Sequence, residues 1–268
     1  MLKITTRFSD RVVIFLCFHY NTDIKLMRGE NRLNGFFGHQ YELYPFQIFS
    51  AYHVIVLIVF LFVCLCIVKF RESLKKSERV IKIAMFIGLF LLESLYHIWL
   101  YAGEQWDMTF ALPFHLCSIS LLLCLVLLVT DSKHIFQFVY FLGLAGAVQA
   151  IVTPELFVGF PHFRFFQFFI THMLIIWVAL FYVCIKRYVV TKRGMWEAFT
   201  FLNLSAILAY LANVVTGGNY MFLARKPSNP SLLDYLGPYP FYILVLEGIA
   251  FILFFILYLP WIKREGKK

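Results

Sequence analysis

Residues 47–69 read QIFSAYHVIVLIVFLFVCLCIVK, and residues 70–82 follow at once as FRESLKKSERVIK. The first stretch has no charged side chain before Lys69. It matches the roughly 20 helical residues that cross a bilayer. The second brings the count of Lys and Arg between 69 and 82 to six. Apolar runs with basic boundaries recur along the chain, and six more are predicted to span, near 80–101, 111–130, 135–152, 165–186, 196–216 and 239–260. The fourth of the seven, 135–152, is the shortest. The predicted fold class is therefore all-α, a polytopic membrane protein with seven transmembrane helices.

Composition agrees with that reading. Of 268 residues, 61% are hydrophobic and 15% charged, against about 45–50% and about 25% in an ordinary soluble domain. The mean hydropathy is +0.77. Disorder, collagen, a secreted disulfide scaffold and a soluble enzyme fit poorly. The formal charge of +9 sits in short clusters between apolar runs and forms no basic face interleaved with aromatics, so no nucleic-acid partner is expected. Cys64, Cys66, Cys124 and Cys184 lie in apolar runs, and no cysteine spacing suggests a zinc site.

The basic residues also predict an orientation. Fifteen Lys and Arg fall in the first, third and fifth loops and the C-terminal tail, and three in the alternate loops. The positive-inside rule then places the N-terminus outside and the C-terminus in the cytoplasm of a cell membrane. Residues 1–34 carry six more basic residues on the side assigned as outside. Their apolar run, Val12 to Phe18, is too short to span. These residues read as an extension, with translation starting at Met27 as the alternative, and residues 35–268 as one membrane domain.

Ionisable groups in hydrocarbon are costly and mark functional sites by default. Counted at about 1.5 Å per residue, His53, His115, Cys117, His172 and Glu247 reach a level about 6–12 Å below the outer boundary. Glu93, His97, Gln149 and Asn213 reach similar heights from the outward-running spans, while Asn203 stands apart in the inner half. A polar cavity in the outer half of the membrane is the expectation. Cys117 is the one cysteine in this polar neighbourhood. A histidine at hydrogen-bond reach can convert a thiol to the nucleophilic thiolate, and the opposing reading of Cys117 is a small buried hydrophobe. Arg164, Arg225 and Lys226 stand in the loops at the same end, where they can meet lipid phosphates or snorkel to headgroups. Gly143, Gly146, Ala147 and Ala150 form a small-residue stripe suited to close helix packing.

The segments HLC at 115–117, GLAGAVQAIVTPEL at 143–156, FPHFRFFQFFITH at 160–172 and GGNYMFLARKPSNPSLLDYLGPYPFY at 217–242 resemble the YwaF-like family of bacterial membrane proteins. The animal transmembrane protein 164 group is similar at a greater distance. The likeness covers roughly residues 36–260. That animal group transfers acyl chains between phospholipids through a cysteine and a histidine. The resemblance thus implies Cys117 as acyl acceptor and His172 as general base, a membrane phospholipid as partner, and no cofactor.

Three functions stay open on the sequence. The first is a lipid acyltransferase using Cys117 and His172, with His115, Gln149 and Asn213 as oxyanion donors. The second is a zinc-dependent lipid hydrolase using Glu93, His97, His115 and His172. The third is a transporter or sensor for a small solute.

Overall fold

The computed structural model describes residues 32–39, 42–227 and 232–265. Val12–Phe18 and Met27 lie outside the described residues. Seven apolar helices build the body: α1 (Ala51–Lys69), α2 (Glu78–Ala102), α3 (Leu116–Thr130), α4 (Lys133–Val152), α5 (Phe163–Cys184), α6 (Lys192–Thr216) and α7 (Phe241–Tyr258). Six of them are long and apolar enough to cross a membrane, and α3 is shorter. The chain is an all-helical, multi-pass membrane protein. An isolated bridge between Pro45 and Val158 is the one β pairing among the described residues.

Lipid solvates apolar side chains as well as a protein core does, so burial shows which helices are central. Two thirds of the apolar stretch of α5 is buried, 67%, and 56% of α4, against 11–22% for α1, α2, α6 and α7. α5 packs against α1, α2, α3 and α4. Glycines allow the closest approaches. A Cβ on Gly143 would lie 3.0 Å from Ile175 of α5, and one on Gly146 would lie 3.1 Å from Leu116 of α3. The small-residue stripe on α4 therefore serves two neighbours at once.

α4 is the span predicted as the shortest of the seven. It starts at Lys133, two residues earlier than predicted, because Ser132 caps it by accepting from the Ile135 N–H. It is continuous to Val152, with one wide π turn at Val139–Gly143.

The ends of the bundle differ. One, the basic end, gathers residues 69–82, 131–133, 185–193 and 259–265. There the Asp131 carboxylate closes α3 in a left-handed conformation (φ 51). It accepts from Lys82 Nζ and, at 2.6 Å, from the Tyr182 hydroxyl. The Asp131 carbonyl accepts from the Tyr188 hydroxyl at 2.6 Å. Lys186 lies 3.1 Å from Glu78 and 3.6 Å from Asp131. Burial pushes the Asp131 carboxyl up, but the hydrogen bonds from Lys82 and Tyr182 and the charges of Lys82 and Lys186 outweigh it, so its pKa falls below the ordinary carboxylate value. The opposite, loop-rich end holds residues 103–115, 153–162, 217–227 and 232–240.

Candidate functional site

The predicted third span begins five residues late. Residues 111–115 form bends and a turn around Pro113, and helix starts at Leu116. At 15 residues, α3 is about 22 Å long, shorter than a hydrocarbon layer of about 30 Å. Irregular backbone beside so short a helix is tolerated in a membrane where protein covers it or where it lines a cavity. Here the 217–223 loop is the cover. The Tyr220 ring lies 5.0 Å from the His115 ring, and the Tyr220 hydroxyl accepts from the Leu112 N–H at 3.0 Å.

The amino end of α3 carries the candidate nucleophile. His115 is the N-cap residue and makes no side-chain cap bond. The first bond of the ladder runs from the Ile119 N–H to the His115 carbonyl, 3.0 Å. The N–H groups of Leu116, Cys117 and Ser118 thus point out of the helix without intrahelical acceptors. Cys117 occupies the second helical position and is half-buried. The free N–H groups and the positive end of the helix dipole favour negative charge on its sulfur or on an oxygen bound beside it.

Hydrogen-bond partners assign the histidine tautomers. His172 has Nδ1 2.7 Å from the Phe168 carbonyl, which can only accept, so Nδ1 carries the proton. Its Nε2 is left as the basic lone pair. His115 is the reverse: its Nδ1 accepts from the Met221 N–H at 3.4 Å, so Nε2 carries the proton and can donate. The His172 ring is buried and fixed at a centroid distance of 4.2 Å from Phe168. His53 and His162 use both nitrogens structurally. His53 accepts from the Phe49 N–H and donates to the Ile151 carbonyl, while His162 accepts from the Arg164 N–H and donates to the Gly38 carbonyl.

Helix geometry relates Cys117 to His172. α4 and α5 run antiparallel, with Gly143 against Ile175. Three residues toward the loop-rich end, about 4.5 Å, bring α4 to Gly146 and α5 to His172. Gly146 faces α3, where a Cβ would lie 3.9 Å from Cys117 Sγ. Thiol and imidazole therefore share one level around α4, and no hydrogen bond joins them.

Arg164 is the site's fixed cation. It stands 4.2 Å over the Tyr96 ring and 5.4 Å from the Phe168 ring, and it donates to Gln167. Its charge reaches both His115 and His172. One turn beyond Gln167, the buried Thr171 hydroxyl has no hydrogen-bond partner among the described residues.

Other predicted members lie elsewhere or are already engaged. Gln149 is exposed on α4 beside Val148 and Val152; residue counting gave its height but not its direction. Asn213 is a loop clamp. Its Oδ1 accepts from the Tyr220 N–H at 2.6 Å and its Nδ2 donates to the Tyr220 carbonyl at 3.1 Å. Glu247 accepts from Asn203 at 2.7 Å, so Asn203 is level with Glu247 rather than alone in the inner half. α6 begins at Lys192, four residues before the predicted span, which moves Asn203 toward mid-helix. His97 is half-exposed, accepting from Trp106 Nε1 at 3.2 Å and lying 3.5 Å from Glu93. Among the described residues no group of three or more His, Cys, Asp or Glu is gathered so as to hold a metal. Glu93, His97, His115 and His172 thus form no zinc site. Arg225 is exposed, its backbone N–H and carbonyl tied to Asn219, and Lys226 Nζ donates to the Asp234 carbonyl at 3.3 Å.

Sequence reading missed the roles of Tyr96 as the seat of Arg164 and of Tyr220 as the cover of His115. Among 15 tyrosines, residue type alone marks neither contact.

A family model described as the TMEM164 family matches residues 48–258. A protein of Treponema pallidum (strain Nichols), titled "Uncharacterized protein", is 28% identical over 159 residues, 59% of this chain. The match spans 65% of that relative's length. No solved structure matches.

Proposed function

Because the chain belongs to the TMEM164 family, we propose that this multi-pass membrane protein is a lipid acyltransferase that carries the acyl group as a thioester on Cys117. One observation carries the reading. Cys117 stands at the uncapped amino end of the short helix α3, level with a buried histidine whose Nε2 is left as the basic nitrogen by its own Nδ1–H bond.

His172 Nε2 takes the Cys117 proton, and the sulfur attacks the ester carbonyl of a membrane phospholipid. The tetrahedral oxyanion receives hydrogen bonds from the amino end of α3 and from His115 Nε2–H, preorganised donors of the kind that dominate acyl transfer. Collapse breaks the ester C–O bond, and the departing lysophospholipid oxygen takes the proton from His172. An acceptor hydroxyl then gives its proton to His172 and attacks the thioester. The sulfur leaves and recovers the proton. Arg164 serves as the phosphate contact, with Arg225 and Lys226 further out. With the basic end cytoplasmic by the positive-inside rule, the site opens toward the outer leaflet of the cell membrane.

The test uses full-length protein and a phospholipid with an isotopically labelled acyl chain. Wild type gains one acyl mass on Cys117, removable by hydroxylamine, and Cys117→Ala and Cys117→Ser gain none. His172→Gln forms the adduct about 10²–10⁴-fold more slowly, the usual worth of a general base. Acyl transfer retained by Cys117→Ala overturns the reading. Solute uptake into proteoliposomes that is indifferent to Cys117→Ala points to a transporter instead.

A further inference from the structure

The basic end of the bundle holds a groove of about 560 Å³ between the start of α4, the loop after α5 and the start of α6. Lys133, Lys186, Arg187 and Arg193 line it together with His134 and a single carboxylate, Glu197. The acidic partners of two of these cations do not line the groove. Glu72 takes Arg187 at 2.5 Å, while Glu78 and Asp131 take Lys186. Those carboxylates neutralise Arg187 and Lys186 from outside the groove, so Lys133 and Arg193 are the cations left to face a bound anion. Glu197 accepts from Arg193 Nε at 2.7 Å and lies 3.2 Å from His134 Nδ1, and Lys133 has no carboxylate partner among the described residues.

The walls are built rather than fluid. Gln137 is buried at the groove floor, donating to the Val189 carbonyl at 2.9 Å and accepting from the Thr191 N–H at 3.1 Å. Arg187 is held in the left-handed conformation (φ 59), which costs an L residue about 1–2 kcal/mol. The neighbouring Tyr188 hydroxyl anchors that turn on the Asp131 carbonyl. The 25-residue α6 starts in the groove, and its dipole adds to the field. All of this sits at the level of the span ends, where phospholipid headgroups lie.

We propose that this groove binds a phosphate-bearing anion, supplied by an anionic phospholipid headgroup or by a soluble phosphate. It is separate from the Cys117 site at the other end of the bundle and does not depend on the acyltransferase reading.

The test uses full-length protein in nanodiscs of phosphatidylcholine with or without phosphatidylglycerol, then native mass spectrometry of the lipids retained after extraction. Wild type is expected to keep phosphatidylglycerol at least about tenfold over phosphatidylcholine. The double variant Lys133→Gln/Arg193→Gln loses that preference, and Lys133→Arg/Arg193→Lys keeps it. Lys69→Gln/Lys263→Gln, which removes equal charge from the same end outside the groove, stays within about twofold of wild type. Inorganic phosphate added to lipid-free micelles separates the sources. A rise in Tm that the groove variant lacks marks a soluble anion as a ligand, and retention of phosphatidylglycerol alone marks the headgroup. Should the groove variant fail to fold, acetylation of wild-type Lys133 decides. Slowing by phosphatidylglycerol or phosphate relative to Lys69 supports the site, and equal rates refute it. Equal lipid retention by the groove and control variants, with no phosphate effect, overturns the proposal.

Discussion

Asn213→Ala tests whether the loop over the candidate site is held from below. The Asn213 side chain is buried and pairs with both backbone groups of Tyr220, at 2.6 and 3.1 Å. Through Tyr220 it also reaches Leu112, which donates to the Tyr220 hydroxyl, and His115, whose ring packs against Tyr220. Truncation leaves a buried N–H and a buried C=O unpaired, each costing about 1–3 kcal/mol. The loop can recover part of that by swinging toward water, so the low end of the range applies, about 2–3 kcal/mol for the pair. At 1.4 kcal/mol per factor of ten, local opening becomes roughly 30- to 150-fold more frequent. Hydrogen–deuterium exchange of peptides covering 217–227 reads this directly. Asn203→Ala, which removes the half-buried bond to Glu247, is the control and leaves these peptides unchanged. Protection of 217–227 within about twofold of wild type in Asn213→Ala refutes the reasoning.

Three further outcomes follow. His115→Phe removes one oxyanion donor and is expected to lower kcat for acyl transfer by about 10²–10³ with little change in KM; a pure KM effect contradicts that role. Gly194→Ala is expected to lower Tm by roughly 5–15 °C. Its Cβ collides with Gln137 Oε1 and breaks the buried bonds to Val189 and Thr191. Gly217→Ala meets open space at φ +74 and costs only the strain of that backbone, about 1 kcal/mol; scanning calorimetry showing it equally damaging contradicts the packing argument. Finally, the Asp131 pKa is depressed in the folded protein. Its stabilisation is therefore present above the unfolded carboxylate value, near 4, and is lost as pH falls below it. Asp131→Asn flattens that acid limb of the Tm profile, and an unchanged limb shows that other carboxylates dominate.

The seven helices were legible because each is an apolar run bounded by charge. Counting along those runs put His115, Cys117 and His172 toward the loop-rich end of their helices. What counting lacks is direction around the helix axis, which is why Gln149 was expected inside and stands exposed. It also lacks true helix starts. Pro113 and the bends and turn around it delay α3 to Leu116, and that delay is what gives Cys117 a helix amino end. An interior cross-tie such as Asn213 to Tyr220 joins residues seven apart through a turn, and residue types alone do not reveal it. The Asp131 cluster joins α2, α3 and α5 through long-range contacts, and its members looked in sequence like ordinary boundary charges.

The π turn at Val139–Gly143 has a consequence for how α4 tolerates change. One extra residue in a turn rotates everything beyond it by about 100° relative to everything before. Gln137, which floors the basic groove, and Gly146, which lies against Cys117, are thus set in phase by that single added residue. Removing one residue between 139 and 143 leaves a perfectly regular helix. It also turns one of these two contacts away from its partner, so α4 behaves as two half-helices with independently tuned faces joined by an angular offset.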